Sequence, residues 1–257
     1  MISAIDPLLN AFDGARWLTV GDGRYGSDAH YIESQGSSAL ATDISDVLLK
    51  QAVKEGYIKE AQKENAEALS FQDGDFDFAL CKDSLHHFPR PTLAIYEMLR
   101  VSKQAIALIE PNDDQIVSGL AEHVYRSVKD FFFMVFLRRE KRNYQYEEVG
   151  NFIYTISRRE IEKIALALNY EVVAFKGINN YYIDGSEYEK LDAKGPIGRR
   201  VRFMIAWRDL LSRLGLKPAG VLAVIIFKIA PASALIDDLA RKGFRVTQLP
   251  RNPYAAR

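Results

Sequence analysis

The sequence predicts an α/β protein built on an open, doubly wound, mostly parallel sheet. Three observations lead there. Short apolar runs alternate with helical stretches through the first half: Arg16–Val20 then Ser27–Ser34, Ser38–Asp43 then Ser45–Glu55, and Asp75–Cys81 then a helix after Pro91. Alternation of that kind implies parallel strands joined by right-handed crossovers. The run Gln104–Glu110 is almost continuously apolar, as a strand covered on both faces must be. Finally, the first strand ends in a glycine cluster, Gly21-Asp-Gly-Arg-Tyr-Gly26, that leads directly into a helix.

Taken in order, Arg16–Val20 is the first strand, and Ser38–Asp43 the second. Ser45 is a candidate cap for the helix that follows. A weak third strand is expected near Tyr57–Ile58. The turn Gln72-Asp-Gly74 introduces the fourth strand, Asp75–Cys81. After Pro91 the spacing of Leu93, Ile95, Tyr96 and Leu99 predicts an amphipathic helix with those residues inward. Gln104–Glu110 is the fifth strand.

The second half is less regular. Gln115–Glu140 reads as helical and contains the aromatic run Phe131–Phe136. Ser157-Arg-Arg-Glu160 has capping-box spacing and opens a helix through Leu168. Tyr170–Phe175 and Val221–Ile229 read as strands. Asp184–Leu216 reads as an inserted, partly helical segment with Arg199, Arg200 and Arg202. No repeat, low-complexity tract or linker divides the 257 residues, so one domain is expected, with insertions at 113–156 and 177–218.

Composition excludes several function classes. The chain is 48% hydrophobic and 26% charged, ordinary values for a globule with a large core. Thirty-four basic residues balance thirty-four acidic ones, so no global field favours nucleic acid or an anionic surface. The single cysteine, Cys81, has no partner for an internal disulfide and suits a reducing compartment. No export signal opens the sequence. The longest apolar run, Gly220–Phe227, is far shorter than the roughly 20 residues of a membrane helix. A cytoplasmic protein without stable membrane insertion is the expectation.

The glycine cluster is the first candidate site. Glycine lets the backbone approach a ligand closely, and the helix beyond it offers free N–H groups. The spacing Gly21-x-Gly23-x-x-Gly26 suits both a nicotinamide dinucleotide and S-adenosylmethionine. Asp43 ends the second strand 22 residues after Gly21, where a carboxylate accepts ribose hydroxyls. Together they point to a cofactor containing adenosine.

The stretch Asn65-Ala-Glu-Ala-Leu-Ser-Phe-Gln-Asp-Gly-Asp-Phe-Asp-Phe-Ala-Leu-Cys-Lys-Asp-Ser-Leu-His-His-Phe88 resembles the central part of class I S-adenosylmethionine-dependent methyltransferases. The resemblance runs from about Trp17 to Glu110, and the small-molecule branch is the most similar. It implies a Rossmann-like sheet of seven strands with helical lid insertions, and S-adenosylmethionine as cofactor. By position, Gly21, Asp22 and Gly23 would form the loop at the aminoacyl end. Asp43 would hold the ribose, Ile44 would pack on the adenine, and Asn65 with Ala66 would meet the adenine edge. Lys82 and Asp83 would lie beside the methyl group and the acceptor. Three positions depart from the pattern: Thr19 replaces an acidic residue, Tyr25 a glycine and Asn65 an Asp.

His86 and His87 follow the fourth strand. A hydroxyl acceptor needs a base, and imidazole titrates near working pH. His87 is the first choice, with His86 and Asp83 beside it; the alternative is a ring packed as a structural group. Asp83, His86 and His87 are also three potential metal ligands, but adjacent histidines rarely share one ion without further ligands, so no metal is expected. Glu110-Pro-Asn-Asp113 either shapes the acceptor mouth or is an ordinary turn. Phe131–Phe136 reads as a lid or acceptor wall, or as a core helix or homodimer interface. Arg138, Arg139, Lys141 and Arg142 form a solvated face or meet an anionic acceptor. Tyr144, Tyr146, Tyr154, Tyr181 and Tyr182 would suit a sugar pocket.

The expected activity is O-methylation of a sugar or related polar metabolite in a biosynthetic pathway, with no nucleic-acid partner. An NAD-dependent oxidoreductase is the rival, kept open by the glycine spacing. A non-catalytic relative that binds partners through its aromatic segment is the third reading.

Overall fold

The computed structural model describes residues 1–113, 119–137, 146, 152–184, 195–251 and 253. A short helix, α1 (Asp6–Ala11), precedes the first strand. The cofactor half then alternates as expected: β1 (Arg16–Val20), α2 (Ser27–Ser34), β2 (Ser38–Asp43), α3 (Val47–Lys54), β3 (Glu60–Lys63), β4 (Phe76–Lys82), α4 (Pro91–Val101) and β5 (Ser102–Pro111). Beyond it come α5 (Leu120–Leu137), α6 (Arg158–Ala167), β6 (Val172–Ile178), α7 (Pro196–Arg213), β7 (Val221–Phe227), α8 (Ser233–Arg241) and β8 (Arg245–Gln248).

All eight strands form one sheet in the order β3-β2-β1-β4-β5-β7-β6-β8. The five strands β1–β5 pair in parallel. β7 runs antiparallel between β5 and β6, and β8 antiparallel at the edge. The sheet is doubly wound. On one face, Trp17, Phe78 and Leu80 pack with Leu8, Ile32, Leu49, Leu235 and Leu239, so α1, α2, α3 and α8 cover that side. On the other, Leu18, Phe76, Ala79 and Ile106 pack with Ile95, Leu99 and Ile161 from α4 and α6. Trp17 is fully buried and stacks on Phe78 with ring centroids 4.6 Å apart. Because β1, β4 and β5 are apolar on both faces, they can occupy only the middle of a sandwich.

The structure corrects four details. The sheet has an eighth strand, because the chain after α8 returns through Phe244 to pair with β6. β3 begins at Glu60 rather than Tyr57, since Ile58 is spent in the core beneath Gly26 and pairing with β2 starts only at Leu40↔Glu60. α3 begins at Val47, and Ser45 belongs to the preceding loop, its N–H donating to Asp43 Oδ1 at 2.9 Å. In α4 the inward residues are Ala94, Ile95, Met98, Leu99 and Val101, whereas Leu93 and Tyr96 are exposed. Leu93 and Tyr96 lie on the face turned about 100° from Ile95 and Leu99.

The capping box is present: Glu160 N–H donates to Ser157 Oγ at 3.1 Å. Phe131 and Phe132 are exposed, so that part of the aromatic run is not core. Arg138, Arg139, Lys141, Arg142 and Tyr144 lie outside the described residues. Among the described residues no helix is long and apolar enough to cross a membrane.

Candidate active site

The carboxyl ends of β1, β2 and β4 converge on one cleft with two lobes. Gly21, Asp43, Ser84 and His87 line both. The polar lobe, about 340 Å³, is completed by Asp22, Gly23, Arg24, Ser27, Asp28, Lys82 and Asp83. The more apolar lobe, about 460 Å³, adds Val20, Ile44, Asn65, Ala66, Phe88 and Pro89.

The loop after β1 is tight for reasons visible in its glycines. Gly21 has φ +78°, and a Cβ there would lie 2.5 Å from Ser84 Cβ. Gly23 packs against Asp43 so closely that a Cβ would meet Oδ2 at 2.6 Å. The Gly23 N–H donates to that oxygen at 3.1 Å. Asp43 is therefore fixed by two backbone donors, Gly23 and Ser45, and each oxygen keeps a lone pair for a further donor. Tyr25, where the pattern has a glycine, adopts φ +69°. That left-handed backbone is strained for a tyrosine, and its hydroxyl is tied to Glu55.

Asp22 answers the departure at Thr19. Its buried carboxylate accepts from Thr19 Oγ1 at 3.0 Å, Asp28 N–H at 3.2 Å and Ala29 N–H at 2.9 Å. The carboxylate that steadies the loop and the start of α2 thus stands three residues later in the chain. Burial, and then the neighbouring Asp28 carboxylate, push the Asp22 carboxyl up to about 7. Burial also raises Asp28, opposed by Lys82, whose Nζ lies 3.2 Å from Asp28 and 3.6 Å from Asp83. Burial alone would lower Lys82, but the charges of Asp28 and Asp83 prevail and raise it. Asp83 directly follows β4 with φ +52° and lies on the cleft wall.

Asn65 forms a local turn, its Oδ1 accepting from Glu67 N–H at 3.0 Å. A carbonyl oxygen has a second lone pair, so its edge still offers both an acceptor and an amide donor to the apolar lobe. Ile44 is exposed at the mouth of that lobe.

The two histidines differ in kind. His86 is mostly buried, and its Nδ1 sits 2.7 Å from Glu110 Oε2. Glu110 is fully buried; its Oε1 accepts from the Ser84 and Leu85 N–H groups, both at 2.9 Å. His87 lines the cleft and packs on the His86 ring, with centroids 4.0 Å apart. Sequence reading missed this use of Glu110, because its partners lie 24 to 26 residues away. Asp28 and Ser84 were missed as well. Their signal was adjacency to the glycine loop and to β4.

The expected tyrosine pocket is not assembled among the described residues. Tyr154 bonds Glu160, Tyr181 lies under Arg208, and Tyr146 and Tyr182 are exposed.

A glycine cradle, a carboxylate at the end of β2 and an adjoining apolar slot on a 3-2-1-4-5-7-6 core match the arrangement that the resemblance to class I methyltransferases implies. Residues 18–108 match the family described as the methyltransferase domain. That match covers about a third of the chain; through it the chain is similar to S-adenosylmethionine-dependent methyltransferases, and S-adenosylmethionine is the cofactor that this likeness supports. No curated protein matches the sequence. Among solved structures it resembles a methyltransferase from Methanosarcina mazei, at 17% identity and TM-score 0.52, covering 87% of this chain and 97% of that one. One from Archaeoglobus fulgidus gives 16% identity and 0.54, covering 88% and 92%. A Haloferax volcanii methyltransferase solved with the Trm112 methyltransferase activator gives 12% and 0.53, covering 90% of each. At these identities the structures establish the shared fold.

The residues present fit that cofactor. The apolar lobe is open to a flat base, Asp43 to a diol, and the polar lobe to a zwitterionic tail.

Proposed function

We propose that the chain methylates a hydroxyl of a small polar acceptor, a sugar or related metabolite, with His87 accepting the proton. The observation that carries this reading is His87 itself, a titratable ring on the wall common to both lobes. Bound S-adenosylmethionine supplies an electrophilic methyl group. The protein's task is then alignment and proton removal. Asp43 and the backbone of Gly21–Gly23 hold the nucleoside end. Lys82, Asp28 and Asp83 set the charge of the polar lobe. Glu110 fixes His86, and the His86 ring braces His87 at 4.0 Å.

The segments 113–156 and 177–218 cover the acceptor in this reading. Both leave the carboxyl edge of the sheet, after β5 and after β6, where α/β sheets bind ligands. Calorimetry with S-adenosylhomocysteine, followed by labelled-methyl transfer to a panel of sugars and phenols, tests the proposal. Stoichiometric binding is expected, and His87→Gln lowers kcat by about a hundredfold or more at unchanged cofactor affinity. Undiminished turnover in His87→Gln, or methylation confined to nitrogen or carbon acceptors, overturns it.

A further inference from the structure

Helix α7 buries no residue, although it is 18 residues long and carries Phe203, Trp207 and Leu210, with Leu214 at its C-cap. These four are 67%, 48%, 46% and 58% exposed. Their spacing of four, three and four places them within about 60° of arc on one helix face. Arg199 and Arg200 flank that arc, about 20° outside it on either side.

The helix cannot roll this face inward, because polar contacts fix the opposite one. Asn179 Nδ2 donates to Asp209 Oδ1 at 2.9 Å and approaches Ser212 Oγ at 3.2 Å. Arg208 donates to the Asn180 carbonyl and lies over the Tyr181 ring, 4.7 Å from its centroid. Asp209, the one acidic residue of α7, is thereby turned away from the exposed face.

We propose that α7 docks in the plane of an anionic lipid surface. An apolar seam rimmed by arginines is what the boundary between headgroups and acyl chains accommodates, and tryptophan favours that depth. The exposed charges on the face are all cationic, which suits an anionic surface. The balanced charge of the whole chain supplies no other attraction to such a surface. On α5, which leaves the same edge of the sheet, Val124, Val128, Phe131 and Val135 form a second exposed stripe with the same spacing. The inference stands on α7 and does not depend on the acceptor proposed above.

Co-sedimentation of the full chain with phosphatidylcholine vesicles, with and without phosphatidylglycerol, is the test. Trp17 is buried, so a blue shift of emission on vesicle addition reports Trp207. Binding is expected only on the anionic vesicles, weakening with salt. Replacing Arg199 and Arg200 by Ser lowers it about tenfold or more, and Trp207→Ser with Leu210→Ser abolishes the blue shift and the pelleting. Circular dichroism of both variants should match the parent, since the replaced residues lie on the exposed face and none is buried in the core. Failure of the parent to pellet with anionic vesicles overturns the proposal. So do equal binding to neutral vesicles and a solution dimer that the seam substitutions dissolve.

Discussion

Asp43 uses each carboxylate oxygen once on the protein's own backbone, which leaves it rigid and still able to accept. Asp43→Ala removes that acceptor and unties the Gly23 and Ser45 N–H groups together. S-adenosylhomocysteine affinity is expected to fall by roughly 2 to 3 kcal/mol, measured by calorimetry, with the circular dichroism spectrum retained. A fall below about tenfold in Kd would show that the diol is held elsewhere. Gly21→Ala combines a φ of +78° with a 2.5 Å clash against Ser84 Cβ. Urea unfolding should show a loss of about 2 kcal/mol or more. At this scale the sequence was most informative where chemistry is local. Gly21, Gly23 and Asp43 announce themselves by type and spacing. Asp22 and Glu110 do not, because a buried carboxylate is defined by donors that only folding brings to it.

At the scale of the element, the start of α2 concentrates the site's unusual electrostatics. Asp22 receives two N–H groups from the first turn while facing Asp28 across a buried space. Its carboxyl holds a proton more tightly folded than unfolded, being raised from 3.8 to about 7. Such a group stabilises the fold fully below its unfolded value, and that contribution is lost as pH rises through about 7. Across that window the parent should therefore lose stability relative to Asp22→Asn, which lacks the titration. Parallel unfolding curves for the two proteins at every pH would show that Asp22 titrates normally. Element identity was legible where periodicity and punctuation agreed, as for α2 and for the capping box before α6. It failed in α4, where the apolar residues Leu93 and Tyr96 drew the inner face away from Ala94 and Met98. Alanine gives little hydrophobic signal even when it is fully buried. β3 is polar and mostly exposed, so no apolar run marked it.

Considered whole, the molecule is a central sheet whose middle strands are sealed. Cys81 lies in β4 with no exposure, and burial followed by the nearby Glu110 pushes its thiol well up. A thiol reagent should modify it only at the rate of global opening, so its labelling should track urea unfolding across the transition. Fast labelling of the native protein would mean that the β4–β5 region opens independently. The parallel core was legible from alternation alone. The antiparallel β7 and the edge strand β8 were not oriented by any residue pattern, because their direction depends on where α7 and α8 return the chain.

Among the described residues, every one that lines the cleft falls between Val20 and Pro89. If the segments 113–156 and 177–218 cover the acceptor as proposed, substitutions there would retarget the enzyme while leaving the lining of the nucleoside cleft untouched.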